Sequence, residues 1–169
     1  AGSLDRLERA GNILQVVQGT TTTQVNSNAI SFVDSGLSVS ITPTSSNSKV
    51  LILVDQSWGL ISPAGAGTIG ANAIFGMRVQ RGSTTIINPR NDSTGPYDYG
   101  FTLGGVSSIA VYGRQNFSFL DSPNTTSATT YKTQAKVYRT EFSVRMNQSE
   151  NSSGGIPPTS RIILMEVAG

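Results

Sequence analysis

The chain has 169 residues, a length that suits one domain with a sizeable core, and only 13% of them are charged, for a formal net charge of +2. It contains no cysteine and no histidine, which excludes disulfides, thiolate chemistry and a Ser-His-Asp triad. The basic residues are spread along the chain, so the sequence does not indicate a nucleic-acid-binding protein.

The sequence also carries no signal for a membrane or for secretion. No apolar run approaches the roughly 18 residues that a membrane-spanning helix needs. The opening AGSLDRLERAGN has charged residues where a signal peptide would have its apolar region. We therefore expect a protein that is made in the cytoplasm and does not insert into a membrane.

The first residues differ in composition from the rest and predict a short helical arm over residues 1–11. Ser3 is a suitable N-cap, and Gly11 can end the helix. One or two turns are marginally stable alone, so the arm is expected to dock on a neighbour or to cover the base of its own domain. Its two leucines and two arginines are the candidate attachment residues: Leu4, Arg6, Leu7 and Arg9.

After the arm, the sequence predicts one strand after another. Leu37, Val39 and Ile41 alternate with polar residues, the period-two pattern of a half-buried strand with its hydroxyls outward. Val50–Val54 is a continuous apolar run, which predicts a fully buried strand that continues toward Trp58. Further strands are predicted at Ile13–Gln18, Asn28–Val33, Ala73–Gln80, Val106–Leu120 and Ile162–Val167.

Turn chemistry separates these strands. Asp34-Ser35-Gly36 is a turn signal, and Arg81-Gly82-Ser83 predicts a hairpin turn into a strand at Thr84–Ile87. The apolar positions of Thr129–Met146 change parity near Thr140, which predicts either a bulge or two separate strands.

The pattern as a whole predicts an all-β domain over residues 12–169. Eight or nine short strands at this spacing are typical of an antiparallel β-sandwich or a barrel. We expect a jelly-roll-like sandwich, because eight strands in two sheets is the inventory of that fold.

A long segment, Asn88–Gly105, is rich in glycine and aromatic residues. Within it, Tyr97, Tyr99 and Phe101 could stack on a sugar or contact a partner protein. They could equally close one end of the sandwich.

The sequence gives little indication of catalysis. A glycosidase needs a pair of carboxylates, but the fold sets such a pair and sequence spacing cannot identify it. Long polysaccharide-cutting proteins carry repeated β-helix turns, and no repeat is visible here. We therefore expect no enzyme, no cofactor and no metal site. The carboxylates from which such a pair could come are Asp55, Asp92, Asp98, Asp121, Glu141, Glu150 and Glu166.

Three segments carry a recognisable pattern. Ile13–Val17 reads ILQVV, Asp34–Pro43 reads DSGLSVSITP and Ser48–Val54 reads SKVLILV. Together with the closing strand at Ile162–Val167, they resemble a domain that recurs in structural proteins of tailed bacteriophages. It is frequent in phages of cyanobacteria and marine bacteria, often at the C-terminal end of tail fibres.

The resemblance implies a homotrimeric β-sandwich on the surface of a virion, and no catalytic residue belongs to the pattern. Because the chain lacks the long N-terminal shaft of a tail fibre, we expect a capsid decoration, or cement, protein that binds other virion proteins, above all the major capsid protein. The alternative is a tail-fibre domain that recognises a host surface polysaccharide.

Overall fold

The computed structural model describes residues 9–62, 72–88, 99–102, 108, 110–148 and 157–169. Within these ranges the chain forms β-strands and no helix, which confirms the all-β prediction. No helix that could cross a membrane is found among them. The strands are β1 Ile13–Thr21, β2 Val25–Ser27, β3 Val33–Ile41, β4 Lys49–Ile61, β5 Asn72–Arg81, β6 Thr84–Ile87, β7 Tyr99–Thr102, β8 Ala110–Asp121, β9 Thr129–Val137, β10 Ser143–Met146 and β11 Ser160–Val167.

The strands form two antiparallel sheets. In sheet 1, β8 lies at one edge and pairs along its whole length with β4. The other side of β4 pairs with β11 and, further along, with β10; β1 then pairs with β11 and β2 with β10. In sheet 2 the order is β3-β9-β5-β6. Strand β7 pairs with β5 on the same side as β6, nearer the start of β5.

The two sheets pack over one hydrophobic core, as in a β-sandwich. Alternate residues of each strand point into it, so that β11 shows a strict alternation of buried and partly exposed positions. Trp58 of sheet 1 contacts Phe75 of sheet 2 with ring centroids 4.5 Å apart. The largest apolar side chains with almost no exposure are Tyr131, Phe75, Phe142, Leu37, Ile41, Ile52, Leu60, Met77, Met146, Ile162 and Leu164.

A buried polar cluster also joins the sheets. Gln56 of β4 donates through Nε2 to Asn147 Oδ1 at 2.6 Å and to Ser160 Oγ at 3.0 Å. Its Oε1 accepts a hydrogen bond from Thr133 Oγ1 of β9 at 2.8 Å, and Ser35 of β3 bonds to Thr133. Asn147 donates in turn to the Ser35 carbonyl at 2.9 Å. These side chains satisfy one another inside the protein, as buried polar groups must.

Several local predictions can be compared with the structure. The hairpin is confirmed, because Arg81 pairs with Thr84 across a turn in which Gly82 has a φ of 55°. The parity change near Thr140 separates two strands, β9 and β10. The predicted turn at Asp34-Ser35-Gly36 is wrong, because these residues lie within β3. The predicted strand over residues 28–32 is also wrong, because these residues form the connection between β2 and β3.

Gly36 explains the error at the predicted turn. It sits inside β3 with a φ of 81°, where the register of β3 against β9 shifts between Asp34 and Ser38. Glycine adopts this positive φ without the steric penalty that other residues meet. Residues that are typical of a turn therefore form a bulge within this strand.

Of the predicted helical arm over residues 1–11, residues 1–8 lie outside the described residues, and residues 9–11 form a bend and a turn instead of a helix. The chain is described from Arg9 onward, and it is anchored at once. Gly11 N donates to the Ala168 carbonyl at 2.8 Å, and Ala168 N donates to the Asn12 carbonyl at 2.8 Å. The base of the arm is thus fixed to the end of β11.

Candidate functional site

The structure describes few of the side chains that the sequence singled out. Arg9 is exposed at the base of the arm. Tyr99 and Phe101 belong to β7, where they pair with Phe75 and Ala73 of β5, but their side chains lie outside the described part of the chain. The remaining candidates fall on residues that the structure does not describe: Leu4, Arg6, Leu7 and Tyr97.

The most distinctive surface of the described residues is the outward side of sheet 1. Leu53 of β4 pairs with Ile163 of β11, and Leu51 pairs with Met165 in the next outward row. The flanking strands extend this second row on both sides with Val16 of β1 and Leu120 of β8. We call the apolar face the following set: Ile13, Val16, Leu51, Leu53, Leu120, Ile163, Met165 and Val167.

The side chains of the apolar face do not form a flat surface. Val16 is 56% exposed and Leu120 is 44% exposed, whereas Leu53 and Ile163 are half-buried by their neighbours. An open depression of about 320 Å³ lies at the Leu53 end, lined mainly by apolar atoms. The face therefore has protruding side chains in one row and a hollow beside the next.

Charged and polar groups border the hollow. Asp55 accepts two hydrogen bonds from Arg114, at 2.6 and 2.7 Å, in a bidentate pair. The carboxylate of Asp55 raises the pKa of the Arg114 guanidinium through these bonds. Arg161 lies 4.0 Å from the same carboxylate, and Asn116 and Ser118 complete the border.

The outward side of sheet 2 is chemically different. Lys132 lies 2.9 Å from the carboxylate of Asp34, which also accepts a hydrogen bond from Gln134 at 2.6 Å. Arg78 donates to Gln134 at 2.8 Å, and its guanidinium lies 4.1 Å from the ring centroid of Phe32. This is a polar and charged surface of the kind that faces water.

Burial would raise the pKa of the Asp34 carboxyl, but the hydrogen bonds and charge of Lys132 and the amide of Gln134 outweigh it. The pKa of Asp34 therefore lies below its ordinary value.

Every carboxylate that the structure describes is engaged by a partner. Asp121 pairs with Arg81 at 2.7 Å and accepts a hydrogen bond from Tyr131 at 2.8 Å. Burial and the nearby Asp121 charge raise the pKa of the Tyr131 hydroxyl. Glu141 lies 3.6 Å from Arg139. No group of three potential metal ligands occurs among the described residues.

Glu166 is buried without a cation. Its carboxylate accepts hydrogen bonds from Gln15 Nε2 at 2.6 Å and from the backbone N and Oγ1 of Thr44 at 2.7 Å each. Burial alone would raise the pKa of Glu166, but these hydrogen bonds outweigh it and hold the pKa below its ordinary value. The contacts fix the end of β11 against the segment that joins β3 to β4.

The apolar face was missed in the sequence, although its signal was present. Val50–Val54 is a continuous apolar run, which predicts a strand buried on both sides, and the closing strand at Ile162–Val167 is apolar except for Glu166. In the structure only one side of each strand faces the core. The other side of these runs forms the centre of the apolar face.

No protein family model matches the chain, and no curated protein matches it.

Proposed function

We propose that this chain is a non-enzymatic structural protein of a bacteriophage particle, a trimer that decorates the capsid and stabilises its shell. The single observation that carries the proposal is the contrast between the two outward faces. Sheet 1 presents aliphatic side chains, and sheet 2 presents charged and polar ones. A molecule with one side suited to protein and one suited to water fits a place on the surface of an assembly.

The chemistry of the apolar face supports assembly rather than catalysis. Contiguous exposed apolar patches on soluble proteins commonly mark interaction sites. The centre of a protein interface is depleted of charge, as this face is between Lys49 and Asp55. The described carboxylates are held in ion pairs and hydrogen bonds, which is the arrangement of structural groups.

For the fold we infer a jelly roll, from the strand order. β1 with β2, β6 with β7, and β10 with β11 each share one row, so the eleven strands fill eight rows. In chain order the first row pairs with the eighth, the second with the seventh, the third with the sixth and the fourth with the fifth. Nested pairs of this kind describe one long antiparallel hairpin rolled into two sheets, which matches the eight-stranded jelly roll.

For attachment we propose the N-terminal arm, with the major capsid protein as its partner. The exposed Arg9 and the predicted Leu4, Arg6 and Leu7 would supply cations and a small apolar contact. The hydrogen bonds of Gly11 support this role, because they fix where the arm leaves the domain. Three arms on one trimer would bind together more tightly than each alone.

Localisation on the particle tests the proposal. We expect antibody labelling on the head shell, and we expect particles that lack the protein to lose infectivity at a lower temperature, because a ligand of the assembled shell stabilises it. Absence from purified particles, or equal heat resistance with and without the protein, would refute the decoration role.

The alternative function is a tail-fibre domain that recognises a host surface polysaccharide. Labelling on the tail would favour it, with Tyr97, Tyr99 and Phe101 as the contact residues to test by sugar binding.

A further inference from the structure

We infer that the apolar face is the surface through which copies of this chain bind one another. The inference goes beyond the proposed function, on which it rests only for the number of copies, three. It follows from the composition, the extent and the relief of the outward side of sheet 1.

The composition of the face specifies a partner of the same kind. Its central residues are aliphatic: Leu51, Leu53, Ile163 and Met165. Such side chains offer no hydrogen bond or charge to recognise a polar ligand, and β-sheet faces pack best on other broad apolar surfaces. The other broad outward surface among the described residues, on sheet 2, is charged. A second copy of the apolar face is the matching surface that the chain itself supplies.

The face is large enough to form the apolar centre of an interface between copies, which the polar groups around it complete. Four strand rows, about 4.8 Å apart, and three outward levels, about 6.7 Å apart, give roughly 400 Å² of apolar sheet. A stable interface buries about 800 Å² on each partner, with an apolar centre and a polar rim. The polar groups next to the face, Gln18, Thr20, Asn116 and Ser118, provide such a rim.

The relief of the face is self-complementary. Val16 and Leu120 protrude in one row, and the hollow of about 320 Å³ opens beside Leu53 and Ile163 in the neighbouring rows. In a ring of three copies, the protruding side chains of each copy would insert into the hollow of the next copy, a head-to-tail contact that closes after three. Each copy therefore offers both halves of the contact, as homo-oligomeric interfaces require.

The charge at the border does not oppose this contact. Asp55 already has a bidentate partner in Arg114, which also donates to the Thr159 carbonyl at 2.9 Å. An ion pair that is complete within one copy brings no unpaired charge into the interface. Lys49, at the far end of the face, can extend its ammonium to water at the rim.

Lysine substitutions test the inference on the full chain. Leu53→Lys and Met165→Lys each place a charge at the centre of the face. Thr130→Lys, on the outward side of sheet 2, is the matched control. The chain has one tryptophan, Trp58, which is buried in the core, so its fluorescence reports whether each variant is folded.

By sedimentation velocity at micromolar concentration, we expect the wild type and Thr130→Lys to be trimers. The two face variants should be folded monomers, a threefold loss of mass. A monomeric wild type, or folded face variants that remain trimeric, would overturn the inference.

A cysteine pair keeps the inference testable if the lysine variants do not fold. The natural chain has no cysteine, so Val16→Cys with Leu53→Cys introduces the only thiols. Under mild oxidation we expect disulfide-linked dimers and trimers, because the protruding position of one copy meets the hollow of the next. A chain with Ser40→Cys on sheet 2 should remain unlinked. Equal linking in both proteins would contradict the inference.

Incorporation into particles separates this inference from the proposed function. If the lysine variants remain trimeric but no longer bind the shell, the face binds the capsid, and the self-association inference is wrong while the decoration role stands. If they become monomers as expected but the wild-type protein is absent from particles, self-association stands and the decoration role fails.

Discussion

Replacing Gln56 by leucine should destabilise the protein strongly, although leucine has a similar volume and the core around the polar cluster is apolar. The change removes the hydrogen bonds from Gln56 Nε2 to Asn147 and Ser160, and the bond that its Oε1 accepts from Thr133. Thr133 keeps its bond to Ser35, and Ser160 Oγ still accepts one from the backbone N of Ser57 at 2.9 Å.

Asn147 is the residue that loses most. Its Oδ1 would be left in the core without the Gln56 amide, while its Nδ2 still donates to the carbonyls of Thr23 and Ser35. A buried polar group that loses its partner costs about 1–3 kcal/mol, and the loss of one hydrogen bond each at Thr133 and Ser160 adds to this. We therefore expect the free energy of unfolding to fall by about 2–4 kcal/mol.

Urea unfolding followed by Trp58 fluorescence measures the effect. All proteins are compared at one concentration, because the stability of an oligomer depends on it. Gln115→Leu is the matched control: Gln115 pairs with Gln56 across β4 and β8, and its Oε1 is buried with no partner among the described residues. We expect the control to change stability by less than about 1 kcal/mol. Equal losses in the two variants would refute the reasoning.

Three further predictions concern other parts of the chain. The folded-state pKa of Glu166 is lowered, so its contribution to stability is complete above the unfolded-state pKa and is lost as the pH falls through the folded-state pKa. In urea titrations across pH 3–7, we expect Glu166→Gln to reduce the loss of stability at acid pH; an unchanged slope would contradict this. A Cβ at Gly113 would lie 2.7 Å from the Trp58 ring, so Gly113→Ala should lower the melting temperature and cost about 1–3 kcal/mol, whereas Ser118→Ala on the same strand should cost little. Deleting residues 1–10 should leave the β fold and trimer intact, as judged by circular dichroism and sedimentation, but should abolish binding to particles; full occupancy by the truncated chain would show that the arm is not the anchor.

The sequence predicts best the elements that are decided by local pattern. The alternation from Leu37 to Ile41 matches the burial along β3, where hydroxyl-bearing residues face outward. The hairpin at Gly82 was predictable because a two-residue turn with a glycine joins two short apolar runs. In both cases the residues that decide the structure are neighbours in sequence.

Features that depend on distant partners could not be predicted in this way. Asp34-Ser35-Gly36 has the composition of a turn, but pairing with β9 holds it inside a strand as a bulge. Likewise Gln56 meets Thr133 and Asn147 only because β4, β9 and the end of β10 converge in the folded protein. Nothing in the sequence near Gln56 indicates that its amide is buried.

The apolar face could not be recognised from the sequence, because a continuous apolar run fits two kinds of strand. Such a strand is either buried on both sides or exposes an apolar side, and the antiparallel sheets decide between the two. A continuous apolar run such as Val50–Val54 is expected in parallel sheets that are covered on both sides. In a two-layer sandwich each strand has only one side toward the core, so its other side should be polar, as the serines of β3 are. Leu51 and Leu53 break that rule in β4, and Ile163 and Met165 break it in β11, in adjacent positions of one sheet. Two strands that depart from the rule at paired positions define a surface, and in a two-layer fold the side chains that would cover it must come from outside the sandwich.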